Sequence, residues 1–196
     1  MSILNIKIHL EAGYNATNAC WNLTEGDIAH VKAGDELAVL SSVNWANAPQ
    51  TVTVTGVTES GFAASPAPAA AQEGSPVEAV LVKTYALTDP VSLQWDIADL
   101  DSSEGSGVNQ LGQTFRDRIA VKRTIGCGWG PLGQSEMSTL LQSMKDLFFY
   151  LTFPDAQKGD MDEMEVYVSN KSAPLYRLVD GQDWKWTSMS VTFTER

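Results

Sequence analysis

The sequence predicts a mainly β protein, α+β in detail, with one helix. Three observations carry that expectation. The chain opens on strict apolar–polar alternation, it continues as short apolar runs punctuated by turn residues, and only one stretch, near residue 140, has helical spacing. At 196 residues it is long enough for one large or two small domains with real cores. The expected division is a small β-rich domain over 1–62, a linker or exposed loop over 63–76 and a second domain over 77–196.

Leu4, Ile6, Ile8 and Leu10 share one face of the first segment, and Asn5, Lys7 and His9 share the other, which is the period of a half-buried strand. Further strands are expected at Ile28–Val31, Glu36–Val43 and Thr51–Val57. Turn chemistry at Glu25-Gly26-Asp27, Ala33-Gly34-Asp35 and Asn47-Ala48-Pro49 separates them, so this part reads as a small sandwich or barrel. Residues 63–76 (AASPAPAAAQEGSP) break that pattern with three prolines, one charge and no aromatic residue.

The second domain opens with expected strands at Val77–Val82 and Val91–Ile97. Ala98–Gly112 is polar and glycine-rich and reads as a flexible loop, and Thr114–Ile125 reads as one long strand. The helix is expected over Glu136–Asp146, capped by Ser135, with Met137, Leu140, Leu141 and Met144 on its apolar stripe. Strands follow at Phe148–Phe153, Glu163–Ser169, Leu175–Val179 and Trp184–Thr194, with Asp180-Gly181 as a hairpin turn.

A net charge of −11 disfavours sequence-specific or general nucleic-acid binding, which needs a basic surface to neutralise phosphates. No window approaches the roughly 18 apolar residues of a membrane span, so no membrane insertion is expected. Nor does the N-terminus read as a secretory signal, which points to synthesis and folding in a cytoplasm. Cys20 and Cys127 form no CxxC motif and read as two free thiols.

Catalytic chemistry has thin material. The two histidines, His9 and His30, lie far in sequence from Cys127, whose Gly-Cys-Gly-Trp-Gly setting reads as a strand end or bulge rather than a reactive loop. The acids at Asp99, Asp101 and Glu104 and at 160–165 match no calcium loop. No catalytic, cofactor-binding or metal-binding residue is therefore assigned, no cofactor is expected, and the chain is read as not an enzyme. Surfaces remain. Arg116, Arg118, Lys122 and Arg123 concentrate four of the 13 basic residues in one strand, which either meets an acidic neighbour or guards an exposed edge by its charge. Trp184 and Trp186 share a strand face and are candidates for either a sugar-stacking platform or part of an interface anchor. Trp21 and Trp45 keep open an alternative, a carbohydrate-binding module for host adsorption.

A spaced set of residues then carries a resemblance: Pro90, Asp96-Ile97-x-Asp99, Arg118-Ile119-x-x-Lys122-Arg123, Trp129, Leu140-Leu141, Phe149-x-Leu151-Thr152-Phe153-Pro154-Asp155, Gly159, Tyr167-Val168, Ser172-Ala173-Pro174, Gly181, Trp186 and Glu195-Arg196. Over about 78–196 the chain resembles an uncharacterised family of tail-region proteins of phages and prophages of Gram-positive bacteria. Ser169-Asn170-Lys171 stands where members usually carry Gly-Asp-Arg, and residues 1–77 extend beyond the typical member. The resemblance implies a structural part of a siphophage-like virion tail, made in the host bacterium. It implies a tail-tube-like antiparallel β-sandwich with one flanking helix, similar in plan to tail-tube and distal-tail proteins. The expected partners are further copies, in a hexameric or trimeric ring at the tail tip, distal tail or baseplate hub, and other tail proteins of the tube, hub and tape measure. The Ala98–Gly112 loop and the basic strand after it are the expected arm between subunits.

Overall fold

A computed structural model describes residues 2–45, 48–68, 77–168, 171, 173–179 and 183–196, excepting the side chains of 176–179, 183 and 184. The protein is mainly β with one α-helix and forms two compact units, Asn5–Ala86 and Met1–Leu4 with Leu87–Arg196.

The first unit is a closed ring of six antiparallel strands. They are β1 (Asn5–Asn15), β2 (Cys20–Glu25), β3 (Glu36–Val43), β4 (Thr51–Val57), β5 (Gly61–Ser65) and β6 (Val77–Ala86). Around the ring the order is β1-β2-β5-β4-β3-β6 and back to β1. Of the sandwich and barrel left open by the sequence, the barrel is found. β1 closes it by alternation: Ile6, Ile8, Leu10 and Ala12 are buried while their neighbours face outward. A register shift at Glu11/Ala12 bends β1 so that it holds β6 along its length and β2 near its end. Trp21, Leu37, Val52, Val54, Phe62 and Leu81 complete the interior, each fully buried large side chain worth about 1.5–3 kcal/mol. Closure leaves this ring no free edge.

Several expectations change here. Ile28–Val31 is not a strand, because Ile28–His30 is a 3-10 turn whose start is capped by Asp27 accepting from the Ala29 N–H at 2.9 Å. β2 and β5 carry too little alternation to be read from sequence. Residues 63–65 belong to β5, and 69–76 of the expected linker lie outside the described residues. Val77–Ala86, placed by composition with the following domain, pairs with β1 and β3 inside the first unit.

The second unit is built on an antiparallel sheet of β7 (Ser92–Asp101), β10 (Arg118–Trp129), β12 (Phe149–Asp155), β13 (Asp160–Tyr167) and β16 (Met189–Glu195), in the order β12-β13-β16-β10-β7. A smaller sheet orders β11 (Leu132–Gly133), β15 (Asp183–Trp186) and β14 (Leu175–Val179), and α1 (Gln134–Ser143) packs on β11 and β15. Phe149, Leu151, Phe153, Met164, Val166, Val191, Phe193, Ile125 and Trp129 fill the core. The helical stripe holds: Met137, Leu140 and Met144 are buried and Leu141 half-buried. The cap differs. Gly133, not Ser135, is the N-cap, and its N–H donates to Glu136 Oε2 at 2.9 Å, so the acid at the third helical position does the capping. The Asp180-Gly181 turn lies outside the described residues, between the antiparallel strands β14 and β15. No helix among the described residues is long and apolar enough to cross a membrane.

The segment expected to be a loop, where the arm between subunits is also expected, carries strands. β7 runs on to Asp101, and β10 pairs with β16 only from Thr124 onward, so beyond that point β7 and β10 form a two-stranded ribbon. At its end β8 (Gly107–Val108) pairs with β9 (Thr114–Phe115). The expected single strand from Thr114 breaks at Arg116-Asp117 because Asp117 is tied across the loop. Its C=O accepts from the Ser102 N–H at 2.8 Å, and its N–H donates to Ser106 Oγ at 2.9 Å.

Candidate functional site

The four basic residues of the 116–123 stretch do not form one surface. Arg116 and Arg118 stay on the arm and neutralise its own acids. Arg116 Nε reaches Asp101 Oδ2 at 2.9 Å, its Nη2 reaches Asp99 Oδ2 at 2.8 Å, and Arg118 Nη1 lies 3.4 Å from Asp99 Oδ1. These pairs are exposed and screened by water, so they hold the ribbon's register more than its stability. Lys122 donates to the Arg196 carbonyl. Arg123, one residue on, alternates to the opposite face and turns inward.

There it meets three carboxylates. Arg123 Nη1 donates to Asp155 Oδ2 at 2.9 Å and to Asp162 Oδ2 at 2.7 Å, while Nη2 donates to Glu195 Oε1 at 3.0 Å. Its own backbone N–H donates to Glu195 Oε2 at 2.9 Å, and its guanidinium lies over the Phe153 ring at 5.8 Å. Only 19% of the Arg123 side chain and 1% of Asp155 are exposed. Arg123, Asp155 and Glu195 belong to the spaced residues that carry the resemblance, and the sheet brings them to one point. The third carboxylate, Asp162, was visible in sequence only as part of an acidic run.

The cluster holds its acids ionised. Hydrogen bonds from Lys158 and Arg123 bring the Asp162 carboxyl down to about 2. Burial pushes Asp155 up, but the Lys158 and Gln157 backbone N–H groups and Arg123 together hold it below its ordinary value. Arg123 lowers Glu195 against the opposing effect of burial. A carboxyl depressed on folding adds stability that is complete above its unfolded value near ~4 and is lost as pH falls through the folded value. The urea midpoint of this unit is therefore expected to fall steadily from about pH 4 towards pH 2. A midpoint flat over that window would remove the cluster from the account of stability.

The remaining candidates separate into structural roles. Trp186 is half-buried and donates through Nε1 to Gln134 Oε1 at 2.9 Å, fastening β15 to the first turn of α1. The Trp184 side chain lies outside the described residues. Trp21 is fully buried and Trp45 is 9% exposed, and the Trp21 ring lies 5.2 Å from that of Trp45 and 5.2 Å from that of Tyr14. Those tilted rings pack against one another and are buried, so neither tryptophan offers an open face. His30 is buried, with Nδ1 3.0 Å from the Tyr85 hydroxyl. Cys127 sits in β10 rather than in a loop, and burial pushes its thiol up to about 12. Among the described residues no group of three His, Cys, Asp or Glu side chains is placed to hold a metal ion.

Among the described residues the arm carries a run of uncovered apolar side chains. Ile97, Leu100, Val108, Leu111, Phe115 and Ile119 are 46–85% exposed, and β7 pairs on one side only among the described residues. The tip is ordered by Asn109, whose Oδ1 accepts from the N–H groups of Leu111 and Gln113, both at 2.9 Å. Gly112, at φ +78°, lets the turn close. Leu111 is thereby presented at the apex with 85% of its surface exposed. Sequence reasoning placed an arm here but missed its internal order, because an asparagine side chain bridging a turn leaves no periodic signal.

Comparison with protein-family models, with curated proteins and with solved structures gives no match.

Proposed function

We propose that this protein is a structural component of a bacteriophage tail, of the siphophage type, that forms a ring at the tail tip, distal tail or baseplate hub through contacts between its own copies. The observation that carries this reading is the arm. A two-stranded ribbon is marginal in water by itself, and this one displays a row of large apolar side chains to solvent. Such a segment gains stability when another surface covers it. The outer edge of β7 meets no strand among the described residues, and strand addition from a neighbour would satisfy its backbone groups.

The resemblance over 78–196 supports the same reading. Its motif residues supply the facing strands of the arm and the ion cluster at its root. On this reading the second unit is the counterpart of a tail-tube-like β-sandwich, and the barrel is an added partner-binding or decorating domain. Neighbours in the virion would be tube, hub and tape-measure proteins. The burial of Trp21 and Trp45 favours this reading over the carbohydrate-binding alternative at those two residues.

Light scattering on the purified full chain tests the proposal. The expected mass is a discrete multiple of the 21.2 kDa chain, three- or sixfold, rising with concentration. A monomer at every concentration up to the solubility limit would overturn it.

A further inference from the structure

We infer that Arg123 and the acids around it form a latch at the root of the arm, which fixes the direction in which the arm leaves the sheet. The latch belongs to a single chain, so it goes beyond the ring reading and holds whether or not copies associate. Its place is set by the strand pairing. β10 pairs with β7 from Arg118 to Gly128 but with β16 only from Thr124 to Trp129, so Arg123 stands where three strands become two. A ribbon of two strands is marginal by itself, and its own ladder does not hold it to one angle against the sheet.

Side chains take over where the ladder stops. The Arg123 N–H donates to Glu195 Oε2 at 2.9 Å, so the carboxylate of the last residue of β16 carries the β10–β16 ladder one rung further. Glu195 is itself fixed in β16 opposite Val166 of β13. The guanidinium reaches the other two strands, with Asp155 at the end of β12 at 2.9 Å and Asp162 of β13 at 2.7 Å. One side chain at the root is thereby tied to three strands of the sheet. Lys122, on the opposite face of β10, donates to the Arg196 carbonyl, and Arg196 Nη1 donates to Glu165 Oε1 at 2.9 Å. Further out the ties of the arm close on themselves. Asp99 and Asp101 pair with Arg116, and Ser102 and Ser106 bond to Asp117. Those bonds keep the ribbon's shape without binding it to the sheet. They are also exposed and yield easily, whereas the ionic group at Arg123 is shielded and costly to separate.

Spin labels at Leu111→Cys on the arm tip and Leu147→Cys ahead of β12 read the arm's direction as a distance, since these positions are 85% and 75% exposed. Cys20→Ser removes the half-buried native thiol, and Cys127 stays shielded at 3% exposure. The full chain is diluted until light scattering reads its single-chain mass of 21.2 kDa, so that no neighbour holds the arm. Double electron–electron resonance is expected to give one narrow 111–147 distance in this parent. Glu195→Ala and Arg123→Lys are expected to lose that peak for a broad distribution while far-UV circular dichroism stays unchanged. Leu140→Ala weakens the core beneath α1 and leaves the latch intact, and it is expected to keep the narrow peak. A narrow peak retained in both latch variants overturns the proposal, as does a parent whose distribution is already broad. A peak lost equally in Leu140→Ala assigns the arm's direction to the stability of the whole unit and overturns the latch. The ring is judged separately, by the oligomer mass.

Discussion

Replacing Arg123 by alanine is expected to cost the second unit about 3–5 kcal/mol, the range for removing one partner of a buried ionic group. The size follows from what is left behind. Asp155, Asp162 and Glu195 would face one another with only Lys158 paired to Asp162 and the charge of Lys122 acting on Glu195, and Asp155 has only 1% of its side chain exposed to seek water. Arg123→Lys keeps a charge but loses the fork that serves three acceptors at once, so its loss is expected to fall between alanine and wild type. Urea titration followed by hydrogen exchange in the β12 and β13 amides reads the effect where it arises. The variant should also lose part of the decline between about pH 4 and pH 2, the share of Glu195 above all, because Lys158 still holds Asp162 and the Lys158 and Gln157 backbone N–H groups still hold Asp155. A loss below ~1 kcal/mol would class Arg123 with ordinary surface pairs and sink this account.

The same residue shows how far sequence alone reaches. β1, β3 and β4 were legible because their alternation or their bounding turns are local properties. The helix was legible for the same reason, through Met137, Leu140 and Met144. Arg123 was legible only as one of a basic group, since its acceptors come from positions 32, 39 and 72 residues further along. Within β10 the alternation was already written: Arg123 shares parity with Ile125, Cys127 and Trp129, all of them buried. Extending the strand to Trp129 would have turned Arg123 inward. The barrel was hidden for a different reason. Its closing contacts are β2 with β1 and β5, and β6 with β1 and β3, and composition marks Val77 as the start of something new rather than the return of the chain. Ring closure is a property of pairing at long range, to which a local window is blind.

Gly61→Ala is expected to destabilise the barrel by about 3 kcal/mol, the upper end for forcing extra volume into a packed interior. An added Cβ would lie 2.1 Å from the Trp21 carbonyl oxygen and 3.1 Å from its carbon, and both are backbone atoms that no side-chain rotation can move away. The strands themselves must part. The β2–β5 ladder consists of Trp21 opposite Phe62 and Asn22 opposite Gly61, so separating it opens the ring at its shortest seam. The seam is also where Trp21 and Phe62, both at 0% exposure, reach the core, and opening it admits water to them. Gly56→Ala is the control. It lies in the adjacent strand β4 with nothing within 4 Å of an added Cβ, and its effect is expected within ~0.5 kcal/mol. Hydrogen exchange should rise in β2 and β5 of Gly61→Ala and stay unchanged in Gly56→Ala. Equal protection in both variants would mean that β2 and β5 tolerate a wider spacing and that the ring is held by its other five ladders.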